Sequence, residues 1–335
     1  METEADFGEN HFGGEVSLRR RTNSTCTDDY NVQRTNDDAT QCKYVAVQMH
    51  YFEDPFIHRF FFNTPDTPLR RDPEISIGYW ARISAINKYV DDFLLAHPDG
   101  QILNLGCGFD TLFWRLKALG KVFSKVIEVD FSSVTARKIR QILKPGKPNL
   151  VELFSQPPQE VQHCDLHCGD YELVGADIRQ WNELKEKLDC AKVDFTLPTM
   201  VITECVLVYM SEDQSASLLA NLRNFFGKIV LINYEQLNTN DTFGKVMQEN
   251  LAQRGLNLSG LAPCESGEKQ KARFEAAGFP HVQVLDMSTI YKTQLDQTER
   301  KRIEAIEHLD EMELLYQLLQ HYGIVIGSTE PLTSN

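Results

Sequence analysis

The sequence predicts an α/β protein built on a doubly wound, mostly parallel sheet. Three observations predict it. Short apolar strings alternate with helical stretches along the middle of the chain. A glycine turn, Gly106-Cys107-Gly108, follows the first of these strings. The second string ends in an acid, Asp130, 24 residues after Gly106.

Taken in order, the chain opens on a polar segment. Of residues 1–42 only 11 are apolar, and nine acids face four arginines. So little apolar surface cannot offset the entropy of ordering, which predicts a disordered tail. Its Arg19-Arg20-Arg21 cluster before Thr22 and Ser24 is read as solvated. Residues 43–97 read as a helical N-terminal region. Within it, Ile75, Tyr79, Ile83, Ile86, Val90 and Leu94 recur at helical spacing, predicting a helix over Asp72–Leu95. From 98 onward strands and helices alternate. Strands are expected at Gln101–Leu105, Lys125–Asp130, Leu173–Ile178, within Thr199–Val208, and at Lys228–Tyr234. Helices are expected at Thr111–Leu119, Ser132–Leu143, Trp181–Leu188 and Ser211–Phe226. An insert occupies about 236–275. A strand at His281–Leu285, one long amphipathic helix over Thr298–Tyr322 and a last strand at Gly323–Gly327 close the chain.

Composition narrows the function classes. The 335 residues carry 34 Lys+Arg against 48 Asp+Glu, a net charge of −14. That balance opposes a nucleic-acid binder, which needs a basic footprint. No window approaches the roughly 20 apolar residues of a membrane span. The start has no basic, apolar leader, and eight cysteines without one read as reduced thiols in a cytoplasmic protein. Nothing demands more than a monomer.

The chemistry sits at the predicted strand ends. Glycines after the first strand permit a tight turn and let a ligand approach backbone closely. A dinucleotide fingerprint would place a third glycine at 111, where this chain has Thr111, which disfavours a nicotinamide oxidoreductase. An acid about 20 residues beyond the turn accepts hydrogen bonds from ribose hydroxyls, the role open to Asp130. Turn and acid together point to an adenosine-containing ligand without separating S-adenosylmethionine from NAD. Asp177, at the end of the third strand, can accept from an adenine amino group, and Ile178 can cover the ring. Glu204 lies in the apolar string ITECVLVYM. A carboxylate there is costly unless paired, so it is read as facing the positively charged sulfonium or amine of a cofactor. His163 and His167 with Cys164 and Cys168 have i, i+4 spacing, but no second pair lies at zinc-module distance, and no metal site is expected.

These strings resemble those of the leucine carboxyl methyltransferases, from about Gln41 to Gly327. The carriers are YFEDPF (51–56), GYWAR (78–82), NLGCGFDT (104–111), FWR (113–115), EVDF (128–131), GADIR (175–179), ECVLVYM (204–210), NYEQ (233–236) and LDEMELL (309–315). The resemblance implies a class I S-adenosylmethionine-dependent methyltransferase fold, Rossmann-like, with helical N-terminal additions and a substrate-binding insert. It implies S-adenosylmethionine as methyl donor. It implies a protein substrate, the protein phosphatase 2A catalytic subunit, methyl-esterified on its C-terminal leucine. The related tRNA-modifying branch carries a further C-terminal propeller-like domain, which this chain is expected to lack.

Carried over residue by residue, Gly106 lines the cofactor, Asp130 holds ribose, Asp177 and Ile178 frame adenine, and Glu204 lies near the methionine portion. Arg82 and Lys43 match basic positions that would meet the cofactor's carboxylate. Arg179 and Tyr209 are expected to grip and align the substrate carboxylate. A carboxylate is already anionic at neutral pH, so no general base is expected. The competing readings are methylation of a small carboxylic acid at the same site and a non-catalytic protein that binds the phosphatase tail.

Overall fold

The computed structural model describes residues 15–61, 70–309 and 312–331. Residues 1–14 of the expected tail, and Asp310 and Glu311 of the LDEMELL string, lie outside them. In chain order the strands are β1 (Gln101–Leu105), β2 (Lys125–Asp130), β3 (Gln159–Val161), β4 (Asp165–His167), β5 (Tyr171–Gly175), β6 (Thr199–Glu204), β7 (Ile229–Gln236), β8 (His281–Asp286) and β9 (Tyr322–Ser328). The helices are α1 (Glu15–Gln48), α2 (Pro73–Ala96), α3 (Leu112–Ala118), α4 (Ser132–Leu143), α5 (Trp181–Cys190), α6 (Glu212–Phe225), α7 (Thr242–Gln253), α8 (Gly267–Ala276), α9 (Met287–Thr293), α10 (Gln297–Glu304) and α11 (Met312–Gln320).

One sheet joins the strands in the order β3-β4-β5-β2-β1-β6-β7-β9-β8. β5, β2, β1, β6 and β7 run parallel, and β9 pairs antiparallel with both β7 and β8. This is the sheet of a class I methyltransferase, with the antiparallel final strand between its two neighbours. Both faces are covered, so the parallel strands are buried along almost their whole length and mostly apolar rather than alternating. Successive residues supply opposite cores: Ile102, Val126, Met200 and Ile232 point into one, Leu103, Ile127, Val201 and Leu231 into the other. The first core includes residues of α2, α3, α4, α9 and α11; the second includes residues of α5, α6 and α8.

Parallel strands put all their carboxyl ends on one edge. Chain order reverses between β1 and β6, and the crevice at such a reversal is where open α/β sheets bind ligands. Asp130 and Glu204 end β2 and β6, and Gly106 and Asp177 lie one and two residues beyond β1 and β5. The expected acids therefore converge because the topology leaves them one place to go.

The structure departs from the sequence expectations in four places. The segment read as a tail through residue 42 is helical from Glu15 on. Side-chain contacts across long sequence separations hold this polar helix. Asn36 Oδ1 accepts from Phe109 N at 2.7 Å, Arg137 Nη2 donates to Asp37 at 2.7 Å, and Asp29 pairs with Arg179. The expected helix over 298–322 is two, α10 and α11. The chain turns at 305–309, where Tyr51 Oη donates to Glu307 at 2.9 Å. The apolar stripe survives the break, with Ile303, Leu315 and Leu319 buried in one core. β3 and β4 form an edge hairpin of three-residue polar strands, too short to show a period. His163 stands in its turn at φ 61°, so it shares no helix face with His167; each histidine meets a glutamate, Glu160 and Glu172 respectively. Among the described residues no group of His, Cys, Asp and Glu is placed to hold a metal. Finally, α8 within the expected insert packs on β8 and carries Phe274 into the second core, so only 237–266 stands outside the sheet-covering layers.

If polar contacts hold α1, removing them loosens it locally. Asp29→Ala with Asp37→Ala should raise hydrogen exchange across 29–43 at least about tenfold while shifting global stability by only about 1 kcal/mol, since both pairs are partly exposed. Exchange mass spectrometry and a denaturant titration read the two quantities.

Candidate active site

All nine residues named from the sequence line one cavity of about 380 Å³ at the carboxyl edge of the sheet. Its floor is the glycine turn. Gly106 N and Cys107 N both donate to Val129 O, folding the turn back over β2. Gly106 adopts φ +68°, and a Cβ there would stand 2.4 Å from Val206 Cγ2. Gly108 adopts φ +50°, with Asn36 Oδ1 at 2.4 Å from the place of its missing Cβ. Both conformation and space require glycine. The turn ends at Thr111, the residue that replaces a third glycine. Its hydroxyl donates to Asp54 Oδ2 at 2.5 Å, so a buried hydrogen bond to the YFEDPF segment does what close packing does elsewhere.

Asp130 accepts from Gly108 N and Phe131 N, each at 2.7 Å. Burial pushes its carboxyl up, and these two amides oppose the shift. Behind the turn, Lys138 is wholly buried and donates to Glu128 Oε2 at 2.5 Å and Asp110 O at 2.8 Å, pinning α4 to the loop. Tyr171 Oη also donates to Glu128. Asp110 in turn holds Lys43 Nζ at 3.4 Å and Arg115 Nη2 at 3.6 Å. Burial alone would raise the Asp110 carboxyl, but Lys43, Arg115 and Lys138 outweigh it and hold it well below the usual range.

The far wall is aromatic and cationic. Arg82, from α2, donates through Nε to Glu204 Oε2 at 2.5 Å. Its guanidinium lies over Tyr234 at 4.6 Å and near Tyr79 at 5.8 Å. Tyr322 stacks on Tyr234 at 5.4 Å. Burial would discharge this arginine, yet Glu204 more than compensates and keeps it charged. The ion pair uses Nε; among the described residues no hydrogen bond engages the two terminal nitrogens. Tyr209 projects from a one-turn 3₁₀ segment, Leu207–Tyr209, directly after β6. Burial pushes its phenol up, so it is a hydrogen-bond donor at neutral pH.

Arg179, expected to grip and align the substrate carboxylate with Tyr209, lines the same cavity and is held there by two carboxylates. Its Nε and Nη2 donate to Asp177, and Nη1 and Nη2 donate to Asp29 at 2.7 and 2.8 Å. The fork is filled by two carboxylates, which keep it charged well above its usual range. It ties α1 to the Asp177 loop. The sequence reading also passed over residues that line the cavity: Asn36 from α1, Tyr79, Tyr234 and Tyr322, and Arg254 after α7. Tyr79 and Tyr234 lie inside the strings GYWAR and NYEQ, which were the available signal; Asn36 and Arg254 carried none.

The residues fit an adenosyl ligand bearing a positive centre. Acids stand at three strand ends, the turn admits backbone approach, and tyrosine faces surround the charged end, where rings attract cations. Comparison with known proteins decides the identity. A family model described as leucine carboxyl methyltransferase matches residues 31–223. The leucine carboxyl methyltransferase 1 of Caenorhabditis elegans is 52% identical over 330 residues, covering 97% of this chain and 99% of that protein. The chain belongs to the leucine carboxyl methyltransferase family. The Bos taurus leucine carboxyl methyltransferase 1 is 41% identical, covering 92% of this chain and 94% of its own length. A DUF574 family protein of Streptomyces avermitilis shares the fold at a TM-score of 0.51 and 13% identity, covering 76% of this chain and 85% of its own. As a member of the leucine carboxyl methyltransferase family, this chain is an S-adenosylmethionine-dependent carboxyl methyltransferase. Among the described residues no helix is long and apolar enough to cross a membrane.

The glycine turn gives a direct test. Gly106→Ala must move Val206 or leave its φ, so affinity for S-adenosylhomocysteine should fall at least about tenfold, a loss of ~1.4 kcal/mol. Titration calorimetry reads it, with circular dichroism to show that the fold persists.

Proposed function

We propose that this enzyme transfers the methyl group of S-adenosylmethionine to the α-carboxylate of the C-terminal leucine of the protein phosphatase 2A catalytic subunit. The observation that carries the reading is Arg82. One nitrogen of its fork is fixed by Glu204, and the two others are without a hydrogen bond among the described residues in a cavity walled by tyrosines. An arginine so held presents a fixed bidentate site for one carboxylate.

When bound, S-adenosylmethionine supplies an electrophilic methyl on a sulfonium. Arg82, with Lys43 behind it on Asp110, meets the methionine carboxylate. Glu204 meets the amino group, Asp130 the ribose hydroxyls, Asp177 and Ile178 the adenine. Tyr209 donates to one oxygen of the substrate carboxylate and turns the other toward the methyl. Arg254, exposed beside the mouth, adds positive charge where an anionic chain end enters. Held in this way, the substrate oxygen would face the methyl carbon in line with its bond to sulfur, and transfer would leave that bond's electron pair on sulfur. Ester and thioether are both neutral. Two opposite charges vanish together, so a dry wall of tyrosines favours the step. No proton moves, and no side chain acts as a base. The description of the named relatives as leucine carboxyl methyltransferases, their near-complete coverage, and the acids Asp130, Asp177 and Glu204 lining one cavity support this reading over a small-acid methyltransferase or a non-catalytic binder.

Labelled methyl transfer to the phosphatase catalytic subunit tests it. Label should enter the intact subunit, leave on mild alkaline hydrolysis, and be absent when the terminal leucine is removed. Persistent label without that leucine, or label only in small acids, would overturn the proposal. Arg82→Ala should lose both cofactor affinity and activity, each at least about tenfold, and Arg82→Lys should not restore them, because lysine lacks the fork.

A further inference from the structure

We infer that Glu235 is a positioning residue for Tyr209, acting through the backbone of the turn that carries it. Glu235 belongs to the NYEQ string and is 1% exposed near the end of β7. It does not itself line the cavity, although its chain neighbours Tyr234 and Gln236 do. Its Oε1 accepts from Val208 N at 2.5 Å. Val208 is the middle residue of the single 3₁₀ turn between β6 and α6, and Tyr209 is the next. The opposite side of the same residue is also held, since Gly260 N donates to Val208 O at 2.8 Å. Glu235 is itself held from three directions. Its Oε2 accepts from Arg273 Nη1 at 3.1 Å, from Gln270 Nε2 at 3.2 Å and from Asn233 Nδ2 at 3.3 Å. Asn233 Oδ1 accepts from Thr203 on β6, one residue before Glu204.

A carboxylate suits this place for a physical reason. One carboxylate accepts at both oxygens and takes four N–H donors at once, with the Cys264 thiol a fifth at 3.7 Å, which no neutral side chain of this size does. Its charge is matched by Arg273, whose side chain is 6% exposed, so the pair is buried whole. Such networks specify one arrangement because every alternative strands a buried charge. The turn they hold needs that constraint. It begins at Cys205, a non-glycine residue at φ 56°, and it places Val206 against Gly106 as well as Tyr209 in the cavity. A turn with strained entry and two faces in the site would sample other positions without an anchor. Glu235 thus links the sheet interior and α8 to the side chain proposed to orient the substrate carboxylate, and the inference rests on that role for Tyr209.

The test compares Glu235→Gln with Glu235→Leu in the full chain. Glutamine keeps an oxygen for Val208 N and loses the charge toward Arg273; leucine removes the acceptor. Hydrogen exchange across 206–210 should rise at least about tenfold in Glu235→Leu and stay within about threefold of wild type in Glu235→Gln. kcat/KM for the phosphatase subunit should fall about tenfold in Glu235→Leu, with most of it recovered in Glu235→Gln. In the Glu235→Leu background, Tyr209→Phe should cost much less than it does in wild type, because both changes remove one function. Unchanged exchange at 206–210 in Glu235→Leu, or fully multiplicative effects of the two substitutions, would overturn the inference. Should Glu235→Leu not fold, Glu235→Gln decides alone: lost protection at 206–210 refutes the anchor, and retained protection with lowered overall stability supports it. Exchange needs no substrate. A wild type that fails to methylate the subunit therefore defeats the proposed function and leaves the exchange result to judge the anchor.

Discussion

The ion pair between Arg82 and Glu204 joins the two parts from which the site is made. Glu204 ends a buried sheet strand; Arg82 comes from α2, outside the parallel core. Neither charge would be tolerated alone in this surrounding, because an unpaired buried ion costs several kcal/mol. Each residue therefore fixes the other, and α2 lies across the carboxyl edge in one register. The tyrosines of the wall follow from that placement. Tyr79 rides on α2 three residues before Arg82, and Tyr234 and Tyr322 lie on paired strands beneath the guanidinium. The cost of burying the pair is offset by what it leaves: an oriented, permanently charged fork in a cavity walled by tyrosines.

The same logic repeats around the cavity. Lys138 meets Glu128 behind the glycine turn, Arg179 meets Asp177 and Asp29 where α1 closes over the loop after β5, and Arg273 meets Glu235 beneath the Tyr209 turn. Each pair joins an element outside the sheet to a residue at or near a strand end. The net charge of −14 consequently says little about the working electrostatics. A long-range field of that sign opposes an anionic substrate. Recognition of a carboxylate falls to a few fixed cations, while most acids near the site are already spoken for.

Much of this was legible in the sequence because topology does the arranging. Parallel strands have their carboxyl ends on one edge, so Gly106, Asp130, Asp177 and Glu204 converge once the strands are recognised. Arg82 and Lys43 became visible only through the resemblance of their strings. What stayed hidden depends on partners far away in the chain. α1 is too polar to read as part of a folded body, yet it packs through Asn36 and Asp29 on residues 73 and 150 positions distant. The occupation of Arg179 has the same origin: a GADIR string shows the arginine and not the second carboxylate that fills it. β3 and β4 are too short for a period, and the break between α10 and α11 leaves the apolar stripe intact, so spacing alone reads one helix.

The central claim is that catalysis here is placement: two opposite charges are brought into line in a dry cavity, and no proton is transferred. The pH dependence of kcat/KM for the leucine-terminated phosphatase subunit tests this most directly. A terminal carboxylate ionises near pH 3.5, and the arginines stay charged throughout, so the profile should be level from about pH 6 to pH 9. A rise through this range with an apparent pKa near 7 would reveal an essential general base and contradict the account.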